Sequence, residues 1–269
     1  MLNNITIGQY FPGNSVIHKL DPRTKLLATI ALIVFVFLVQ GFSGFIAITA
    51  FIAAVTLASG IRFKFLIRGV KPLLFIIMFT FVLNLFFQTQ GTVLVKLGFL
   101  KITVEGLKTA FFTAVRLILL VLSSQLLTLT TSPISLTDGI ESLLNPLKRF
   151  KFPAHEIAMM MSIALRFIPT LMDEAGKIMK AQKARGADFE SGNLIQRAKA
   201  MVPLLVPLFV GSFRRADDLA LAMEARCYRG GEGRTRMNKL AYKKIDVFAG
   251  LAVLALLVLI IVFNTLNFF

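Results

Sequence analysis

The chain of 269 residues has no tryptophan, one cysteine (Cys227) and two histidines (His18 and His155), and it is short of acid, with 14 Asp and Glu against 30 Lys and Arg. Each shortage excludes something. A single cysteine allows no intrachain disulfide. Neither histidine has a second histidine or a cysteine at ligand spacing, so no metal site is expected. Charged residues make up 16% of the chain, against about a quarter in average globular proteins, while 56% is hydrophobic and the mean hydropathy is +0.76. That balance excludes the soluble classes. Met1 to Lys25 is polar and mixed, without the charged stub, apolar region and small-residue cleavage site of a removable signal peptide, and none is expected.

Two chemical signatures are also missing. No Gly-x4-Gly-Lys-Ser/Thr phosphate loop occurs, so the chain is not a standard P-loop ATPase. No Gly-x-Ser-x-Gly occurs either, which removes support for a lipase-type nucleophile. No enzyme activity and no cofactor are expected.

What the chain has in quantity is apolar sequence, including 26 Phe. Five stretches stand out: Leu26–Val39, Phe42–Ser59, Val70–Phe87, Leu107–Thr130 and Val247–Phe263. A membrane helix needs roughly 17 to 25 mainly apolar residues, and these are read as spans. Positive charge then sets orientation, because cytoplasmic loops retain Lys and Arg. Lys19, Arg23 and Lys25 precede the first span, Arg62, Lys64, Arg68 and Lys71 lie between the second and third, and no charge lies between Gln40 and Gly44. The N-terminus is therefore expected inside; Lys96 and Lys101, on the expected outer side, run against the trend.

Residues 131–245 are then expected to form one cytoplasmic domain, between four transmembrane helices in 1–130 and a last one in 246–269. The segment from Thr131 to Lys244 holds 19 Lys/Arg and 11 Asp/Glu, half of the net +16, and eight of the ten methionines. Ser132 before Pro133 reads as an N-cap followed by a first-turn proline. Ile140, Leu143, Leu144 and Leu147 form an apolar face that Pro146 ends. Pro153 opens a helical pattern over Ala154–Arg185, which Pro169 is expected to kink or break. A third pattern runs from Leu194 past Pro203 and Pro207 to about Arg226, and Arg229–Lys239, rich in Gly and Arg, reads as a loop. The methionines fit two readings, a core stripe for most of them and an adaptable partner surface for some.

The two long helices share an ending: Lys183-Ala184-Arg185-Gly186 and Glu224-Ala225-Arg226-Cys227. A small residue permits close approach and an arginine offers a planar five-donor fork to carboxylates. A cation in the last turn followed by glycine is also an ordinary helix terminus, favoured by the helix dipole. The repetition on two similar helices is what raises the functional reading.

These features resemble the transmembrane coupling subunits of energy-coupling factor transporters (the EcfT family, CbiQ-like), importers of the ATP-binding-cassette class. The likeness covers essentially the whole chain. Its landmarks are His18-Lys19-Leu20-Asp21-Pro22-Arg23-Thr24-Lys25, the Thr131-Ser132-Pro133 helix ending in Leu143-Leu144-Asn145-Pro146-Leu147, Leu165-Arg166-Phe167-Ile168-Pro169, and the two Ala-Arg endings. The resemblance implies an all-α integral membrane protein of about five transmembrane helices plus a cytoplasmic domain of amphipathic coupling helices, in the cell membrane of a prokaryote. It implies that Ala184, Arg185, Gly186, Ala225, Arg226 and Cys227 dock two ATPase subunits. It further implies that ATP-driven motion passes to a substrate-binding membrane S component that takes up vitamins or transition-metal ions. Cys227 stands where the family has glycine; cysteine closes a left-handed turn poorly, so the helix is expected to run on to Gly230 and Gly231.

Two other classes of protein also join apolar runs to basic charge. A self-contained secondary carrier or channel needs charged or broken-helix features near mid-bilayer. Arg116 is the one charged candidate, and a span starting near Val115 would leave it at the outer interface. Asn84 fits either packing or a substrate contact. A nucleic-acid or lipid-surface binder would use the basic segment, whose 11 interleaved acids and lack of an aromatic series argue against it. Ala50, Ala54 and Ala58 give the second span a small-residue face, suited to internal packing or to a membrane partner.

Overall fold

The computed structural model describes residues 10–39, 41–88, 92–97, 100–150, 152–189, 191, 193–230 and 240–266. Its helices are α1 (Pro22–Leu38), α2 (Phe42–Ser59), α3 (Phe63–Val70), α4 (Leu74–Phe87), α5 (Val104–Thr130), α6 (Pro133–Leu144), α7 (Ala154–Ala184), α8 (Leu194–Ala225) and α9 (Lys244–Thr265). A 3-10 turn, Lys71–Leu73, joins α3 to α4, and another, Asn145–Phe150, follows α6. The protein is an all-α membrane protein. Among the described residues four runs are long and apolar enough to cross a bilayer: Phe42–Ser59, Phe63–Phe87, Val104–Thr130 and Lys244–Thr265. The fifth expected span, α1, has 17 residues and sits at the lower limit of span length.

Two elements between the second span and α5 differ from expectation. The basic stretch after α2 is not a plain loop, because Phe63–Val70 forms a helix. Strands β1 (Val93–Leu97) and β2 (Leu100–Thr103) pair antiparallel. Val95-Lys96-Leu97 and Leu100-Lys101-Ile102-Thr103 alternate apolar and polar residues, the period-two signal of paired strands.

The chain divides into two compact units. One contains α1–α5, the strand pair, the start of α6, and α9. Its core joins Leu32, Phe35 and Val36 of α1, Phe45, Ile48 and Ile52 of α2, Leu119 and Leu126 of α5, and Leu256 and Ile260 of α9. Phe45 stacks on Phe112 with centroids 5.1 Å apart. The last carbonyls of a helix have no partner in its own ladder, and those of α1 are supplied by side chains. Arg116 Nε donates to Val36 O (3.2 Å) and its Nη2 to Val39 O (3.1 Å), while Asn264 Nδ2 donates to Leu38 O (2.9 Å). Because α5 begins at Val104, Arg116 lies well inside it and caps the end of α1 instead of marking a span terminus. Asn84 Nδ2 donates to Thr80 O on its own helix (2.9 Å).

At the other end of this bundle Asp21 caps α1, accepting from Arg23 N (2.9 Å), with Pro22 at the first helical position. Buried Asp246 accepts from Asp21 N (2.8 Å) and Lys243 N (2.7 Å), tying the starts of α1 and α9 together. Lys25 Nζ donates to Thr130 O (2.9 Å) and His18 O (3.1 Å), and Phe11 N donates to Leu129 O (2.9 Å). His18 is held locally by Ser15 Oγ (2.7 Å) and Phe11 O (3.0 Å).

The second unit contains the end of α6, α7 and α8. The Ser132 hydroxyl accepts from Ser135 N (3.2 Å), the expected cap of α6. Helix α7 runs through Pro169 without the expected break, and α8 passes Pro203 and Pro207 as its sequence pattern predicts. The core reading of the methionines also fails. Of the seven described in this segment, Met160, Met161 and Met201 are exposed and Met159, Met172, Met179 and Met223 half-buried, because a pair of long helices has little interior. Met237, Gly231 and most of the Arg229–Lys239 stretch lie outside the described residues.

Candidate functional site

The two shared endings fold into the same backbone reversal. In α7, Gly186 N donates to Lys183 O (3.0 Å) and Ala187 N to Gln182 O (3.0 Å), with Gly186 at φ 90°. In α8, Cys227 N donates to Glu224 O (2.8 Å) and Tyr228 N to Met223 O (3.0 Å), with Cys227 at φ 56°. Both are Schellman closures, with the penultimate bond nested inside a six-to-one bond. The expected run-on to Gly230 does not occur: α8 ends at Ala225, and Cys227 takes the left-handed position itself. It is the one non-glycine residue with positive φ among those described. The two satisfied carbonyls at the end of α8 outweigh the conformational cost, which is about 1 kcal/mol for a side chain in this region.

Each reversal leaves its arginine as the last residue before the turn, and Ala184, Arg185, Gly186, Ala225, Arg226 and Cys227 are all exposed. The alanines beside the guanidinium groups keep the approach open. Each end is a compact donor tip suited to a carboxylate-lined groove.

Behind the tips, α7 and α8 are tied by an ion pair between Glu174 Oε2 and Arg215 Nη2, about a third exposed. Glu174 lies eleven residues before Arg185, and Arg215 eleven before Arg226. Eleven residues are three turns, which returns to nearly the same face about 16 Å along the helix. The pair therefore joins equivalent points of the two helices, each at the same distance from its tip. Gly211, one turn before Arg215, sits under the carboxylate: a Cβ there would lie 3.2 Å from Glu174 Oε1. Sequence reading missed this pair. The signal was present, since the separation of 41 between the paired residues equals that between Arg185 and Arg226.

The starts of these helices are also defined. Asn193 and Gln196 form a capping box on α8, with Asn193 N donating to Gln196 Oε1 (3.1 Å). Near the start of α7, His155 Nδ1 and Glu141 Oε1 are 3.0 Å apart, linking α7 to the end of α6. Along α8, Val202, Leu205, Val206, Phe209, Val210 and Phe213 are exposed at helical spacing, an apolar face that nothing in this chain is described as covering.

The family model CbiQ, described as cobalt transport protein, matches residues 13–237. A Thermosediminibacter oceani protein, named energy-coupling factor transporter transmembrane protein EcfT, is 61% identical over 251 residues, 93% of this chain and 94% of its own length. Proteins of the same name from Ruminiclostridium cellulolyticum and Bacillus subtilis are 57% and 49% identical, covering 92% and 96% of this chain and 92% and 98% of their own lengths. The chain belongs to the CbiQ family, as a transmembrane component of the energy-coupling factor transporter type.

Proposed function

We propose that the chain is the coupling subunit of an energy-coupling factor importer, with residues 131–245 and the N-terminus on the cytoplasmic side. Two ATP-binding-cassette subunits bind the Arg185 and Arg226 tips through acidic or carbonyl-lined grooves. When ATP draws those subunits together the tips follow, and α7 and α8 pass the displacement to a substrate-binding S component in the membrane. The chain itself carries no catalytic group in this reading. Its cargo, a vitamin or a transition-metal ion such as that in the family's description, is recognised by the S component.

The observation that carries the reading is the duplicated reversal, which presents two exposed arginines on chemically equivalent ends. Two equivalent tips fit two similar partners. The exposed apolar face of α8 and the exposed Ala50, Ala54 and Ala58 of α2 supply surface for a further, apolar partner.

The test is the double variant Arg185→Ala, Arg226→Ala in the full transporter. The variant is expected to reach the membrane at parental level and to lose ATPase binding and uptake together. Assembly and uptake at parental level would remove the arginines from the docking role.

A further inference from the structure

From Pro22 to Val104 the chain contains no acidic residue, yet Arg62, Lys64, Arg68 and Lys71 fall within ten positions in the middle of that stretch. All four are exposed, and none makes an ion pair among the described residues. The positive-inside tendency requires only that such charges be in the loop; here they are arranged. Lys64, Arg68 and Lys71 follow at i, i+4 and i+7, one stripe of α3 and its continuing turn. Phe63 and Ile67, 62% and 54% exposed, form an apolar stripe beside it.

The third side of α3 is fixed to the protein. Leu66 is 1% exposed, and Gln125 Nε2 on α5 donates to Phe65 O (3.1 Å). The Gln125 amide occupies the space a side chain at Gly69 would need, so α3 and α5 are in backbone-close contact. An eight-residue helix locked along one side, apolar on the second and basic on the third, running directly into a membrane span, has the pattern of an interfacial element.

We propose that α3 is an anionic-lipid binding surface: Phe63 and Ile67 enter the acyl boundary while Lys64, Arg68 and Lys71, with Arg62 at the helix start, gather acidic phospholipid headgroups. The occupant follows from charge complementarity, since a basic stripe next to lipid-facing apolar side chains meets headgroup phosphates first. The effect is to hold the start of the α3–α4 span at a fixed depth. This surface does not depend on the coupling role of Arg185 and Arg226.

The absence of tryptophan provides the probe. In Phe63→Trp, made in the full chain and reconstituted into phosphatidylcholine vesicles, the one indole reports on lipid beside α3 when excited selectively. Quenching by brominated phosphatidylglycerol is expected to exceed quenching by brominated phosphatidylcholine by a relative binding constant of about fivefold. The preference should fall toward unity in 0.5 M salt, where the Debye length is only a few ångströms. Lys64→Gln/Arg68→Gln/Lys71→Gln on the same background should abolish it, and Lys64→Arg/Lys71→Arg should keep it, because headgroups read charge rather than shape. If the glutamine variant fails to insert, the salt series and the arginine variant decide. Equal quenching by the two lipids overturns the proposal and leaves an acidic protein partner as the reader of the stripe; a preference that survives both salt and charge removal also overturns it.

Discussion

Cys227 is the most direct place to perturb the architecture of the tips, because one atom group decides the cost. At φ 56° its Cβ is crowded against the backbone in a way glycine avoids, worth about 1 kcal/mol. Opening of the turn breaks the Tyr228 N to Met223 O bond (3.0 Å), so exchange of the Tyr228 amide reports on the closure. Cys227→Gly should slow that exchange by about fivefold, after correction for intrinsic rates, since 1 kcal/mol corresponds to that factor. Cys227→Val, β-branched and therefore a more severe outlier at positive φ, should speed it by an order of magnitude or more. The Ala187 amide, closing the equivalent turn after Gly186, is an internal control and should not change. Hydrogen–deuterium exchange on the full-length protein in detergent or nanodiscs reads all three. If Gly, Cys and Val variants exchange alike at Tyr228, the left-handed closure at Cys227 is not what ends α8.

Two further outcomes follow from the packing. The Glu174–Arg215 pair is about a third exposed, so screening limits it to about 1–2 kcal/mol; Glu174→Arg and Arg215→Glu should each raise the ATP hydrolysed per substrate imported by the assembled transporter, and the swap of both should restore the parental ratio, whereas a swap no better than the singles would show that the pair does not set the helix arrangement. Gly69→Ala should lower the thermal midpoint by an amount corresponding to about 1–3 kcal/mol, because the methyl displaces the Gln125 amide; adding Gln125→Ala should recover most of the loss, and a single variant as stable as the parent would refute the close α3–α5 approach.

The features legible from sequence were those set by local, periodic chemistry. Long apolar runs located the membrane helices to within a few residues, Ser132-Pro133 and Pro153 located helix starts, and the repeated Ala-Arg located both tips. What escaped depended on tertiary surroundings. Proline at 169 reads as a break in isolation, but it removes only one donor from a helix of 31 residues, which continues through it. Arg116 looks like a charge astray in a span until the unpaired carbonyls at the end of α1 are brought beside it. Glu174 and Arg215 look like ordinary surface charges of amphipathic helices, and only their shared offset from the tips connects them. Cys227 was misjudged because conformational preference was weighed without the two hydrogen bonds that reward the turn.

Family membership rests on the whole chain, whereas the coupling role rests on partners, so the direct measurement is of the partners. Purification of the tagged, full-length protein from native membranes in mild detergent should bring down two P-loop ATPase chains and one small membrane protein in stoichiometric amounts, and the ATPases should be lost from the Arg185→Ala/Arg226→Ala variant while the chain itself is recovered in full. A single polypeptide that supports uptake after reconstitution without any ATPase would contradict the account.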